Sequence, residues 1–276
     1  MAAGWPEDAM VEQDHLRVES SRPSAPTLPQ NLWSVRDLFL FIIFAVVALV
    51  AANFLALGGY ALLRPLFGWK AVSQTLYDDT FFLVALQTIF HVLVFAYIFL
   101  LVVVNYRQPF WEALRWRALS PRAAANYFGG GVLLALAVLA FPPILPYSET
   151  YPLQRLFSSP QAAYVIGAFA IFIAPFMEEL IFRGVLFRFF EQRVGLRFAV
   201  AATAVLFAAL HVSEYWGAWN HVLLIFFVGV VFSLARGLTG SFAPSFVLHL
   251  AYNASLMLML FIGTRQFQTI GSVLFG

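Results

Sequence analysis

Glu178 and Glu179 stand side by side in an otherwise almost wholly apolar stretch, Ile173-Ala174-Pro175-Phe176-Met177-Glu178-Glu179-Leu180-Ile181-Phe182-Arg183, which ends on a guanidinium. A charged side chain at the centre of a membrane helix costs about 2.5–3.5 kcal/mol on insertion scales, so three in one segment call for pairing or a solvated interior site. Glu179 and Arg183 are four apart and share a helix face, where an ion pair offsets part of the desolvation. Glu178 lies about 100° round the helix from its neighbour. It has no such local partner and must be satisfied by another helix, a water or a metal ion. Pro175 loosens the backbone just before it and makes room for water.

Two further apolar stretches carry imidazoles: Phe207-Ala208-Ala209-Leu210-His211, and His249-Leu250-Ala251-Tyr252-Asn253, whose His and Asn share a face. Imidazole serves general acid or base work near neutral pH and ligates metals, while a carboxamide donates a hydrogen bond to a developing oxyanion. Glu178, His211, His249 and Asn253 together are a set able to activate a water. Taken singly, each has a plainer role as a buried, hydrogen-bonded packing residue. Gln87 and His91 pair on one face and are accounted for by interhelical hydrogen bonds. Glu214 stands three residues after His211, where it either orients that ring or faces water. Asp78, Asp79 and His221 lie near the ends of apolar runs, as solvated helix termini.

The elements that must position these residues follow from composition. Of 276 residues 62% are hydrophobic and 11% charged, 31 are Phe, and the mean hydropathy is +0.82. A water-soluble domain carries about a quarter charged residues, so the solvent is lipid. Apolar runs at 38–63, 80–104, 125–145, 161–190, 198–212, 221–235 and 242–262 predict an all-α, polytopic transmembrane helix bundle of about seven spans. The fifth and sixth runs are short for a crossing, and either one re-entering or kinking changes the count to between six and eight.

Residues 1–35 are polar, hold Pro23, Pro26 and Pro29, and are expected to be a disordered cytoplasmic tail before a single membrane domain, 36–276. Arg17, Arg22, Arg36, Arg107, Arg115, Arg117, Arg122, Arg188, Arg193, Arg197 and Arg236 fall on one side of the predicted spans; Arg64, Lys70, Arg155 and Arg265 fall on the other. The positive-inside rule then sets the amino terminus in the cytoplasm. The stretch 111–119, mixing Trp, Leu and Arg, suits a short interfacial helix or a plain linker. The absence of Cys excludes disulfides and thiol chemistry. Fifteen arginines against one lysine suit a GC-rich bacterial genome, hence a multi-pass protein of a bacterial inner membrane.

Glu178-Glu179 with Arg183, Phe207 with His211, and His249 with Asn253 resemble, in order and separation, the three signatures of the CAAX-protease and bacteriocin-processing intramembrane endopeptidases, which include the type II CAAX prenyl endopeptidase. The resemblance covers a core at about 160–262. It implies that Glu178 polarises a water with His211, that His249 and Asn253 bind the tetrahedral oxyanion of a scissile amide, and that Glu179 and Arg183 support them. It leaves the cofactor open: Glu178, His211 and His249 suit either a glutamate-activated water or one bound to a divalent metal such as zinc, and no tightly bound metal is expected.

No His-Glu-x-x-His or Gly-x-Ser-x-Gly motif occurs, and Tyr77-Asp78 has no Gly-x-Gly-Asp partner, so other protease chemistries fit poorly. The expected function is endoproteolysis of a membrane-associated protein or peptide at or near the cytoplasmic half of the bilayer, with lipid as the surroundings and no nucleic-acid partner. The alternative is a non-catalytic membrane protein, a proton-coupled transporter or an immunity scaffold, in which the same side chains relay protons or bind a partner.

Overall fold

In the computed structural model, which describes residues 33–68, 74–145 and 151–271, the apolar runs are helices, and no strand occurs among the described residues. The described residues all fall in one unit, Asn31–Gly276. Of the expected cytoplasmic tail, residues 1–32 lie outside the described part, as does Lys70.

Helix α1 (Val35–Phe67) starts at Ser34, whose hydroxyl accepts from the Asp37 amide while the Asp37 carboxylate accepts from the Ser34 amide. This reciprocal cap satisfies two donors that a helix start otherwise leaves unpaired. Ala48, Ala52 and Ala56 form its buried stripe, which lets α1 approach α2 closely, while Phe39, Ile42, Val46, Val50 and Phe54 face outward as a lipid surface. Helix α2 (Thr80–Asn105) is capped by Asp79, and α4 (Pro121–Ala140) and α5 (Pro160–Val194) by Ser120 and Ser159, each followed by a proline whose missing N–H costs nothing there. Then follow α6 (Leu196–Leu210), α7 (Trp219–Thr239) and α8 (Ala243–Gly263).

Six of these helices, all but α6 and the short α3 described next, are long and apolar enough to cross a bilayer, within the expected range. The sixth expected run is a full 21-residue helix, α7. The fifth, α6, has 15 residues, about 22 Å, and stops short of a crossing. Between α2 and α4 only α3 (Phe110–Ala113) is helical. Arg115 adopts a positive φ of 57° that ends the helix, and the following Trp116 packs on Phe242 at 4.8 Å between ring centroids. The expected interfacial helix is therefore a single turn and a loop clamped onto the bundle.

The two ends of the bundle differ. At one, Arg193 donates to the Trp33 carbonyl, Tyr106 bonds Asp37, Arg188 donates to the Ala113 carbonyl, and the Arg117 amide donates to Ser241. At the other, Thr80 donates to the Leu156 carbonyl, the Leu153 amide to the Glu214 carbonyl, and the Ile144 amide to Asn220. Among the described residues the first end carries Arg36, Arg107, Arg115, Arg117, Arg122, Arg188, Arg193, Arg197 and Arg236, and the second Arg64, Arg155 and Arg265.

Candidate active site

Helix α5 carries the paired glutamates and is not a regular α-helix. It passes through π-helical turns at Phe169–Ile173 and Leu180–Leu186, one on each side of the six residues that hold Glu178 and Glu179. In the first, the Ala174 amide donates to the Phe169 carbonyl, five residues back. The next donor in that register is Pro175, which has no N–H, so the Ala170 carbonyl is released. Asn253 of α8 takes it, its amide nitrogen donating at 2.7 Å. In the second turn the Arg183 carbonyl accepts from Arg236 Nε of α7 at 3.1 Å. Each π turn thus presents a carbonyl that a side chain of a neighbouring helix captures, and α5 is fixed between α7 and α8.

Arg183 and Glu179 are fully buried and paired, with Nη1 2.9 Å from Oε1, as their spacing predicts. The second guanidinium nitrogen, Nη2, donates to the Gly229 carbonyl at 3.0 Å and lies 3.5 Å from the Ser233 hydroxyl, which in turn meets Thr203 at 3.0 Å. The guanidinium carbon also sits 4.8 Å from the Phe207 ring and 5.4 Å from that of Phe232. Those two rings flank His249, at 5.8 and 4.6 Å. The sequence reading did not single out Phe232, Ser233, Gly229 or Thr203. The signal was present only as small or hydroxyl residues one turn apart on α7, a pattern that suits helix packing in any membrane protein.

Glu179 has a second task, which the Glu–Arg spacing does not reveal. Its Oε1 also accepts from His249 Nδ1 at 3.1 Å. With Nδ1 thereby the protonated nitrogen, Nε2 is left for chemistry, and it lies 3.6 Å from Glu178 Oε2. The Glu178 side chain is 24% exposed, whereas those of His249 and Glu179 are at 5% and 0%, so Glu178 is the member of the cluster that meets water. His211, at the end of α6, directs Nδ1 to the Phe207 carbonyl at 2.8 Å, again leaving Nε2 free.

Glu178, His211, His249 and Asn253 all line one cavity of about 550 Å³. Gln87 and His91 line it as well, from α2; in place of the expected interhelical hydrogen bond, His91 leaves Nδ1 buried without a partner and stacks on Phe169 at 5.6 Å. Glu214 and Tyr215 close the wall beyond His211, and Leu153, Gln154, Leu156 and Phe157 form its rim. Glu214 is reached by water through the cavity yet packed about by protein. That burial, with the charge of Glu178 nearby, raises its carboxyl above the ordinary range, against the opposing pull of His211.

Among the described residues no three His, Asp or Glu side chains converge as a metal ion requires. As placed here, Glu178, His211 and His249 do not form a three-ligand metal site.

The cavity occupies the half of the bundle away from the nine arginines: its rim is the 152–157 turn and the far halves of α2, α5 and α8. Glu178 is 18 residues from the start of α5 and 16 from its end, near the middle of that helix. An arginine-rich end in the cytoplasm and a site entered from the cytoplasm are therefore incompatible expectations.

Comparison with curated proteins and with solved structures gives no match. Residues 160–255, about a third of the chain and containing all seven motif residues, match the family model described as type II CAAX prenyl endopeptidase Rce1-like; over that segment this multi-pass membrane protein is similar, at the level of the family, to membrane-embedded proteases of the CAAX type.

Proposed function

We propose that the protein is an intramembrane endopeptidase that cleaves a peptide bond of a membrane-associated protein or peptide with a water activated by Glu178. The observation that carries this reading is the convergence of Glu178 and His249 Nε2, 3.6 Å apart, in one cavity with His211 and Asn253.

Glu178, partly solvated, takes a proton from the attacking water, and His211 Nε2, in the same cavity, orients that water. As the water adds to the scissile carbonyl, the oxygen becomes an oxyanion facing His249. The His249 ring, held through Nδ1 by Glu179, presents Nε2 to that oxygen and donates to it in its doubly protonated form. Asn253 spends one amide hydrogen on Ala170 and keeps the other for the same oxygen. Glu178 then returns its proton to the leaving amine, so the base is regenerated without a change in net charge.

The amino terminus is assigned to the cytoplasm and the chain to a bacterial inner membrane. The test is a comparison of membrane proteomes from cells carrying wild type, Glu178→Ala or His249→Ala. New peptide termini present only with wild type, and lost together in both variants, establish proteolysis and name the substrate. Unchanged termini with an intact cellular phenotype would instead favour a transporter or scaffold.

A further inference from the structure

We infer that the site draws its substrate from the non-cytoplasmic side, so that the substrate is an exported or outer-leaflet segment of a membrane-anchored chain and not a cytoplasmic tail. The substrate assignment rests on the proteolytic reading; the sidedness does not.

Two observations meet here. Arginine and lysine near span ends collect in the cytoplasm because translocating them is disfavoured, and among the described residues nine arginines mark one end of the bundle against three at the other. The cavity that contains Glu178, His211 and His249 is rimmed only by elements of the arginine-poor end: the 152–157 turn, Leu83 and Gln87 near the start of α2, and Met257 and Leu260 near the close of α8. None of the nine arginines lines it. Toward the arginine-rich end the route is filled. Below Glu178 lie the buried Glu179–Arg183 pair, Phe187 and Arg188, and Phe242 and Leu114 pack without accessible surface. That packing leaves a peptide bond no path to Glu178 from the arginine-rich end.

The chemistry of a substrate follows from the compartment. Prenylation marks a cysteine at a carboxyl-terminal tail that is made and modified in the cytoplasm. Such a tail emerges on the wrong face of this bundle. A segment already translocated, held by its own membrane anchor and apolar enough to lie along Leu83, Leu153 and Leu256, has direct access.

The chain has no Cys, so single-cysteine variants report position without further engineering. Ala118→Cys marks the arginine-rich end, Gln268→Cys the opposite end, and Gln87→Cys and Leu256→Cys the cavity wall; Ala118 and Gln268 are exposed. Bacterial host cells expressing each variant are treated with a membrane-impermeant maleimide before and after permeabilisation. Gln268→Cys and the cavity reporters are expected to react in intact cells to the level reached after permeabilisation, and Ala118→Cys only once the membrane is opened. Reaction of Ala118→Cys in intact cells with protection of Gln268→Cys overturns the inference. So does protection of both cavity reporters in intact cells while Gln268→Cys reacts. The same labelling in a Glu178→Ala background is indifferent to whether the chain cleaves anything, so a failed protease assay and a failed topology remain distinguishable.

Discussion

His249 Nδ1 and Glu179 Oε1 lie 3.1 Å apart, on the same oxygen that receives Arg183 at 2.9 Å, which makes the second glutamate of the pair the residue that orients the histidine. The carboxylate is therefore shared between a structural cation and a reactive ring. Replacing Glu179 by Gln keeps an acceptor but removes the carboxylate that holds the His249 ring and Arg183 together. Activity is expected to fall by roughly 10²-fold or more in kcat with KM little changed. Glu179→Ala leaves Arg183 buried without its counter-ion and should cost about 3–5 kcal/mol in thermal unfolding in detergent. A Glu179→Gln enzyme with unaltered kcat would falsify the orienting role.

Pro175 and Asn253 are coupled through the Ala170 carbonyl. Removing Asn253 alone takes the donor from that part-buried oxygen, at a cost of about 0.5–1.5 kcal/mol. Pro175→Ala restores a backbone N–H in the register that reaches Ala170. The stability lost on Asn253→Ala should consequently be smaller in the Pro175→Ala background, and a double-mutant cycle measured by thermal unfolding reads the difference. Strict additivity would mean that the two residues do not share the carbonyl.

Glu214 carries a pH signature. Burial and the charge of Glu178 raise its carboxyl, and an acid whose pKa rises on folding favours the folded state below its unfolded value, about 4.3, and loses that contribution as pH climbs through the raised value. Ionised Glu214 therefore opposes folding at neutral pH. Glu214→Gln is expected to unfold at a higher temperature than wild type at pH 7.5, with the gain shrinking toward pH 4. Equal unfolding temperatures across that range would remove the electrostatic account of this wall.

Helix α8, which carries His249 and Asn253, is positioned by its contact with α4. A Cβ on Gly131 would meet the Leu248 carbonyl oxygen at 2.4 Å and the Ala251 Cβ at 2.7 Å, and neither can move aside cheaply. Gly131→Ala should destabilise the bundle by about 1–3 kcal/mol and lower activity through displaced His249. Gly129→Ala, where a Cβ meets open space, is the control expected to leave both unchanged.

Much was legible from the residues in order. The membrane class followed from composition, because lipid admits an apolar surface that water does not. The Glu179–Arg183 pair followed from a four-residue spacing, which brings two side chains together on any helix. The three motifs, from Glu178 to Asn253, lie within the segment 160–255 that matches the family model. Tertiary structure alone decided the rest. The three motif helices meet at one cavity, where α5 leaves the regular register twice, and a released carbonyl such as that of Ala170 depends on a partner 83 positions away. The link from Glu179 to His249 spans 70 positions, and no local spacing encodes it. The shortness of α6 puts His211 inside the bundle instead of at a surface, and the direction of the cavity emerges only when turns distant in sequence form its rim. Periodicity reports which face of a helix a residue occupies; which neighbour that face meets, and at which end water enters, depends on packing between segments far apart in the chain.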